Sequence, residues 1–291
     1  MALAEQQAAD YRRIEVDPVA GAMGATISGV DLRKVTDDDV EEIHRAFLDH
    51  LVVFFRDQSL SPQEQLALAR RWGEIHLHPF VPGLDDCPEV MEILKSEHDI
   101  KNFGGVWHSD QMFSPKPAMG TMLYAVETPS AGGDTLWANL YDAYDGLSDG
   151  MKALLSRMQG HSVGDNFSSH QGKSRREIYG DTSMKLRDPG EDEVTEADHP
   201  MIRTHPETGR KALYIGNHMQ HFTGLSREES EPLRQYLMAH ATKPEYTCRF
   251  RWAPGSLAFW DNRCTQHYAI NDYPGQRRRM HRITICGDAP F

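Results

Sequence analysis

The sequence has 291 residues, of which 39% are hydrophobic and 25% are charged, values typical of a soluble globular protein with a sizeable core. The net charge of −12 argues against a nucleic-acid binder, because its field repels a phosphate backbone. The sequence has no apolar run long enough for a membrane span, no secretory signal and no Cys-x-x-Cys pair among its 4 cysteines. We therefore expect a cytoplasmic protein with reduced thiols and no structural zinc.

Hydrophobic periodicity and start signals predict four amphipathic helices, at residues 36–50, 61–75, 141–158 and 226–240. The second helix has the clearest start, because Ser61 as N-cap and Glu64 three residues later form a capping box around Pro62. Ser226 gives the last helix a similar start signal.

Short apolar or alternating segments predict the strands. They include single strands at 24–30, 51–55 and 282–286, and hairpins at 201–216 and 246–262. Strands with helices set to one side indicate an α+β fold built on a β-sandwich or jelly roll. We expect one domain over residues 1–291, in which the charge-dense stretch 166–199 is either a solvated loop or an active-site lid.

The segment 105-GVWHSDQMF-113 places His108 and Asp110 two residues apart, between the apolar Trp107 and Phe113. In a strand these two side chains would point to the same face. The pair fits either a metal chelate or a surface hydrogen-bonded pair, and the motif alone does not decide between them.

A third ligand is available at His267, which is followed by Arg278 and Arg282. Two imidazoles and one carboxylate suit a non-haem Fe(II) ion with open coordination positions. Arginines near such a site favour bound anions, because buried guanidinium groups need anionic partners. Arg277 and Arg279 are more typical of a solvated turn.

The sequence resembles the taurine dioxygenase (TauD/TfdA-type) family of Fe(II)- and 2-oxoglutarate-dependent dioxygenases from about residue 14 to the C-terminus. The matching fragments are 24-GATISGVDL-32, 72-WGEIHLHP-79, 107-WHSD-110, 129-PSAGGDTLWANL-140, 204-THPETGRKALY-214, 259-FWDNRCTQHYA-269 and 276-QRRRMHR-282. Their order and spacing carry the resemblance. It implies a double-stranded β-helix, a cupin-like jelly roll, with flanking helices.

The resemblance also implies roles for individual residues. The implied residues are His108, Asp110 and His267 as Fe(II) ligands; Thr135 and Arg278 for the distal carboxylate of 2-oxoglutarate; His78 and Arg282 for the substrate anion; and Trp107, Gln111 and Phe113 as further substrate-binding residues. Such a site would use O2 to hydroxylate a substrate C–H bond, with release of succinate and CO2.

The expected partner is a small anionic organic substrate, with a sulfonate or sulfate ester favoured and neither nucleic acid nor membrane involved. One alternative is the same chemistry on a carboxylate such as an aryloxyalkanoate, and another is a jelly-roll protein that binds a metal or anion without turnover. The family implies a homo-oligomer, either a dimer or a tetramer.

Three positions near the implied pocket differ from taurine dioxygenase. Val81 replaces a tyrosine, Gly104 replaces an asparagine, and Gln111 stands where that enzyme has a valine. Losing two polar groups removes hydrogen bonds that an ammonium group would need. We therefore expect a larger, less polar substrate than taurine. Asn217 and His218 are secondary candidates for substrate contact.

Overall fold

Two β-sheets share a hydrophobic core in the computed structural model, which describes residues 11–165 and 172–291. Phe54 of the larger sheet stacks on Phe250 of the smaller one, with ring centroids 4.1 Å apart. Trp260 and Trp137 meet across the same core at 5.7 Å. Side chains from both sheets thus interdigitate, as in a β-sandwich.

The regular structure combines many short strands with a few helices. In chain order, the strands are β1 (Glu15–Pro18), β2 (Ala25–Ser28), β3 (Val52–Phe55), β4 (Gly83–Leu84), β5 (Cys87–Lys95), β6 (Gly120–Glu127), β7 (Thr135–Asn139), β8 (Gln159–Val163), β9 (Glu196–Pro200), β10 (Ile202–Thr204), β11 (Lys211–Leu213), β12 (Met219–Phe222), β13 (Thr247–Phe250), β14 (Leu257–Asp261), β15 (Thr265–Ala269) and β16 (Arg278–Ile285). The α-helices are α1 (Asp37–His50), α2 (Pro62–Ala69), α3 (Leu140–Asp145), α4 (Asp149–Leu155), α5 (Arg175–Tyr179) and α6 (Arg227–Ala241).

The larger sheet has the strand order β1-β2-β3-β14-β6-β16-β5-β4, and the smaller one has the order β13-β7-β15. Neighbouring strands are antiparallel except for β2 and β3. Helix α1 covers the outer face of the larger sheet, where Phe47 stacks on Phe259 with centroids 4.2 Å apart. This arrangement confirms the predicted α+β jelly roll with flanking helices.

The predicted helix starts at Ser61 and Ser226 are confirmed, because each serine accepts a hydrogen bond from the third helical backbone N–H and each has its capping-box glutamate. Helix α2 ends at Ala69, earlier than expected. Residues 74–76 leave the helix because they pair with the end of β16: the His76 N–H donates to Thr284 O at 2.8 Å.

Two other predictions were wrong in detail. The helix expected at 141–158 is two short helices, because Gly146 ends α3 and Ser148 caps α4. The hairpin expected at 246–262 does not form: β13 pairs with β7 in the smaller sheet, whereas β14 pairs with β3 and β6 in the larger one. Both strands exist, but their partners are distant in sequence.

The segment 166–199 lies partly outside the described residues, which leave out 166–171. Its described part contains α5 and most of β9, and β9 pairs with β8. The lid therefore stays a prediction. Among the described residues, no helix is both long and apolar enough to span a bilayer.

Candidate active site

A backbone bridge brings His108 and His267 together although they are far apart in the chain. His108 lies between β5 and β6, and His267 lies within β15. Each residue donates its N–H to the other's carbonyl, at 3.0 Å and 2.8 Å. The imidazole rings consequently lie side by side, with centroids 4.2 Å apart.

Asp110 completes the group at the same place. Its Oδ1 lies 3.7 Å from His108 Nε2 and 3.8 Å from His267 Nε2. All three residues are buried, and one ligand atom from each lies within 4.8 Å of the others. A divalent metal fits this donor set, because two imidazole nitrogens and one carboxylate oxygen converge and leave further positions open.

Neighbouring groups orient these ligand atoms. His108 Nδ1 donates to Val106 O at 2.7 Å, so the Nε2 lone pair faces the cavity. Thr121 Oγ1 donates to Asp110 Oδ2 at 2.7 Å, which leaves Oδ1 directed at the imidazoles. Asn262 Oδ1 accepts the Asp110 N–H at 3.1 Å. Neither Thr121 nor Asn262 was predicted from the sequence, because neither contact follows from local pattern.

The electrostatics favour the protonation states that metal binding requires. Burial lowers the pKa of His108, and burial together with the neighbouring His108 lowers the pKa of His267 well below its ordinary value. Burial would raise the pKa of Asp110, but the charge of the Arg282 guanidinium holds it below its usual range. The site therefore presents two neutral imidazoles and one carboxylate.

Arg278 and Thr135 line a cavity together with His267 and His108. Thr135 Oγ1 accepts a hydrogen bond from Trp252 Nε1 at 3.0 Å, and the Arg278 guanidinium lies 5.7 Å from the centre of the Trp252 ring. Arg278 is buried, and its Nε and Nη2 have no hydrogen-bond partner in the described part of the chain. An organic carboxylate would supply the missing partner.

A second cavity adjoins the first and shares part of its wall, including His108 and Arg282. It is lined by His78, Phe103, Gly104, Val106, His108, Asp110, Gln111, Phe113, Arg175, Tyr179, Asn217, His218 and Arg282. Four of the five predicted substrate-binding residues, His78, Gln111, Phe113 and Arg282, are thus brought together with Asp110.

His78 is a neutral hydrogen-bond donor in this cavity. Burial, followed by the charges of Arg175 and Arg282, lowers its pKa well below the ordinary value. Its Nδ1 accepts the Phe80 N–H at 3.1 Å, so the single ring proton lies on Nε2. An anion in the cavity can therefore receive an N–H from His78 as well as the charge of Arg282.

Trp107 and Val81 lie elsewhere than their predicted roles require. The Trp107 ring packs against Tyr268, with centroids 5.7 Å apart, and Trp107 is not among the described residues that line the cavity. Val81 is buried in a hydrophobic cluster with Phe80, Phe113 and other apolar residues. Having valine in place of tyrosine at position 81 therefore does not widen the cavity directly. Gly104, in contrast, does form part of the cavity wall.

Arg175 and Tyr179 are cavity residues that sequence reasoning missed. Both belong to α5, inside the stretch that was expected to be a polar loop or lid. The available signal was 174-SRREIY-179, where Ser174 and Glu177 form a capping box. The secondary candidates Asn217 and His218 also line the cavity, and the His218 ring lies 6.0 Å from that of His108.

A second cluster, His205, Asp261 and Cys264, has metal-ligating residue types but is already neutralised. Asp261 accepts hydrogen bonds from Arg263 with both oxygens, at 2.8 Å and 2.7 Å, and from His205 at 3.0 Å. The guanidinium occupies the place of a cation there, so this cluster is structural.

Comparison with known proteins agrees with this geometry. The family model described as "Taurine catabolism dioxygenase TauD, TfdA family" matches residues 15–284. The chain belongs to this family. The sequence resemblance to the family is thereby confirmed.

Individual relatives within the family act on different anions. An alpha-ketoglutarate-dependent sulfate ester dioxygenase of Pseudomonas putida is 35% identical, over 95% of this chain and 91% of its own length. A (S)-phenoxypropionate/alpha-ketoglutarate-dioxygenase of Sphingobium herbicidovorans is 32% identical, over 94% and 95%. The crystal structure of a taurine dioxygenase from Burkholderia xenovorans superposes with a TM-score of 0.79, at 35% identity, over 96% of this chain and 91% of that one.

Proposed function

We propose that the protein is an Fe(II)- and 2-oxoglutarate-dependent dioxygenase that hydroxylates a small anionic organic substrate. The observation that carries the proposal is the three-residue donor set of His108, Asp110 and His267, placed between two buried arginines. Arg278 stands on the His267 side and Arg282 on the Asp110 side. One site therefore offers a metal-binding position and two arginines that can each bind an anion.

The three candidate ligands would hold Fe(II), and Arg278 with Thr135 would hold the distal carboxylate of 2-oxoglutarate. When bound, Fe(II) and 2-oxoglutarate supply the oxidising chemistry, which consumes O2, releases succinate and CO2, and hydroxylates a C–H bond. The chain's own part is to bind and orient both organic acids and to exclude water. Trp260 and Leu123 in the wall of the Arg278 cavity serve that exclusion.

For the substrate, we propose a sulfonate or a sulfate ester whose oxygens meet His78 and Arg282. The neutral His78 donates from Nε2, and Arg282 contributes a charged, planar donor pair. The 35% identity to a sulfate ester dioxygenase supports this class. Hydroxylation next to the sulfur-bearing group would yield a product that collapses to a carbonyl compound and releases that group.

A carboxylate substrate, such as an aryloxyalkanoate, is the second candidate. The 32% identity to a phenoxypropionate dioxygenase favours it, and Arg282 can bind a carboxylate in the same bidentate way. A non-catalytic metal- or anion-binding protein fits less well, because such a protein has no need of a second buried arginine at Arg278.

A panel of alkanesulfonates, alkyl sulfate esters and aryloxyalkanoates, tested for substrate-dependent succinate formation, decides among these classes. We expect the sulfonates or sulfate esters to give the highest kcat/KM. Asp110→Ala serves as the inactive control, because it removes a candidate ligand. Absence of succinate with every anion, in protein that has bound Fe(II) and 2-oxoglutarate, would refute the proposed function.

We further propose a cytoplasmic enzyme that assembles as a dimer or tetramer. The cysteines Cys87, Cys248, Cys264 and Cys286, all within the described ranges, form no disulfide, as expected of a reducing compartment. Light scattering of the purified protein tests the assembly, and a monomer at micromolar concentration would contradict it.

A further inference from the structure

Gln111 is a buried amide in the wall of the cavity that also contains His78 and Arg282, the proposed substrate cavity. The residue is 2% exposed, and neither its Oε1 nor its Nε2 is hydrogen-bonded within the described part of the chain. Most buried polar groups of folded proteins have a partner, so this amide requires an explanation. It directly follows the candidate metal ligand Asp110, beside the position where a substrate would react.

The backbone holds Gln111 in place at a conformational cost. Its φ is +54°, in the left-handed region that residues other than glycine rarely adopt. The Ser114 N–H donates to Gln111 O at 2.8 Å, and the Asp110 N–H donates to Asn262 Oδ1 at 3.1 Å, so the chain is fixed on both sides of the residue. Strained conformations of this kind cluster at ligand-binding and catalytic sites. A strained backbone and a buried amide in need of a partner thus coincide at one residue.

We propose that Gln111 binds a neutral substrate group that both donates and accepts a hydrogen bond, so that the enzyme selects sulfonates or sulfate esters that also carry a hydroxyl or a carboxamide. Rotation of the Gln111 side chain would turn both of its polar atoms to a ligand in the cavity. The inference rests on the proposed function and specifies its substrate class.

The oxyanion of the substrate cannot satisfy Gln111 by itself. A sulfonate or sulfate group has acceptor oxygens but no N–H or O–H, so it could pair with Nε2 and would leave Oε1 unpaired. His78 and Arg282 already offer donors to that group. The argument holds for either orientation of the amide, since neither polar atom has a partner among the described residues. The second interaction therefore has to come from another part of the ligand.

A second charged group fits the amide less well than a neutral one. An ammonium donates but does not accept, and a carboxylate accepts but does not donate, whereas a hydroxyl or a carboxamide does both. Asn217 adds another amide to the cavity wall, and burial lowers the pKa of His218 to about 3, so that ring is neutral near pH 7. The sequence led us to expect a larger, less polar substrate than taurine, and a neutral group in place of the taurine ammonium refines that expectation.

The test compares substrates of equal charge that differ in one hydrogen-bonding group. Hexanesulfonate and hexyl sulfate would be assayed for succinate formation beside their ω-carboxamides and their derivatives with a hydroxyl at each carbon beyond the first. We expect the parent enzyme to prefer the best hydroxyl or carboxamide substrate over the unsubstituted anion by at least about tenfold in kcat/KM, the effect of pairing a buried polar group. The ω-amino and ω-carboxylate analogues should be poorer than that substrate.

Gln111→Met removes the amide but keeps a side chain of similar length and volume. It should lower kcat/KM for the best hydroxyl or carboxamide substrate by at least about tenfold and change that for the unsubstituted anion by less than about threefold. Gln235→Met is the matched control, because it makes the same change at an exposed position of α6. It should keep the parent's preference.

The stability of the ligand-free protein gives a readout that does not depend on turnover. If the amide serves a ligand, Gln111→Met should not lower the denaturation midpoint, because the change removes a buried polar group that the described residues leave unpaired. A large decrease in the midpoint would show that the amide has a structural partner and would overturn the inference.

Calorimetric binding of the same anions, without O2, to protein loaded with Mn(II) and 2-oxoglutarate gives a further readout. If no anion yields succinate, the proposed function fails, while the binding data still test Gln111. Equal affinity of the parent for substituted and unsubstituted anions would overturn the inference. An equal loss of every anion in Gln111→Met would also overturn it, because the amide would then bind the oxyanion itself.

Discussion

The Arg282 guanidinium lies 2.7 Å from Oδ1 of Asp110, the carboxylate oxygen that also faces both candidate imidazole ligands. A metal at Asp110 would therefore lie close to the positive charge of Arg282. An anion bound at Arg282 would offset that repulsion, since the two sites share one low-dielectric cavity. Substrate binding and metal binding are thus thermodynamically coupled.

The coupling predicts that an anionic substrate tightens Mn(II) or Fe(II) binding by at least about fivefold. Arg282→Met should abolish that increase, because it removes the charge that the anion neutralises. Anaerobic calorimetric titration of the metal, with and without an alkanesulfonate, measures the effect. The same variant should bind 2-oxoglutarate with nearly unchanged affinity. An increase that persists in Arg282→Met would show that the anion binds elsewhere.

Asp110→Ala should remove one of three ligand atoms and reduce metal affinity by at least about a hundredfold, with loss of succinate formation. Asp145→Ala is a suitable control, because Asp145 is exposed at the end of α3. Metal titration and the succinate assay would both be needed. Unchanged metal affinity in Asp110→Ala would contradict the assignment of this site.

Arg278→Ala should weaken 2-oxoglutarate binding by about thirtyfold or more, because it deletes a desolvated charge partner. Arg277→Ala tests the neighbouring position, where the side chain is 42% exposed and pairs with Glu127. Its 2-oxoglutarate affinity should match that of the parent. Titrations of metal-loaded protein with 2-oxoglutarate compare the two, and equal affinities in both variants would rule out Arg278 as the anchor.

Thr121→Val should lower metal affinity by about tenfold or more, since an orienting partner of a ligand typically contributes that much. The change keeps the side-chain volume but removes the donor to Asp110 Oδ2 and the acceptor for Asn262 Nδ2. It should also cost about 1–3 kcal/mol of unfolding free energy, because buried polar atoms lose their partners. Denaturant titration of the metal-free protein separates the stability effect from the metal effect.

A pH-dependent stability effect is expected at the start of α1. Asp39 accepts hydrogen bonds from Arg13 Nε at 2.6 Å and from the Thr36 N–H at 2.8 Å, and these contacts lower its pKa. A carboxyl with a lowered folded-state pKa stabilises the protein above its unfolded pKa of about 4, and that contribution is lost as the pH falls. Asp39→Asn should therefore destabilise the protein at pH 7.

The destabilisation by Asp39→Asn should shrink as the pH falls below about 4, where the parent carboxyl also begins to lose its charge. Asp38→Asn is the control, because the Asp38 side chain is 77% exposed. Denaturant midpoints at a series of pH values give both comparisons. A difference between parent and Asp39→Asn that does not depend on pH would show that the ionised carboxylate is not the source.

Local sequence pattern was sufficient wherever structure depends on neighbours in the chain. The capping boxes at Ser61 and Ser226 begin their helices as predicted, since the donor and acceptor are three residues apart. The hairpin at 246–262 was wrong because β13 and β14 join different sheets. That choice is made by contacts with strands far away in sequence, which the local sequence pattern does not reveal.

In the candidate site, too, some residues could be identified from local sequence and others depend on tertiary packing. His108, Asp110 and His267 could be identified because residue type and spacing express metal chemistry directly. Arg175 could not, because its polar surroundings in sequence resemble a solvated loop. Only the packing of α5 against Phe80 and Phe103 turns this arginine toward the cavity. Trp107 is the opposite case. It lies inside a strong motif and was predicted to contact the substrate, but its ring packs on Tyr268.

The backbone bridge between His108 and His267 ties the metal site to the folding of the whole chain. His267 belongs to β15, which pairs with β7, so the ligand set requires this strand pairing as well as the His108 segment. Tight metal binding is thus a property of the finished jelly roll, and the metal must favour the native over the unfolded state. Retention of iron through purification would therefore indicate that the His108 segment and β15 have reached their native positions. This readout does not require a known substrate.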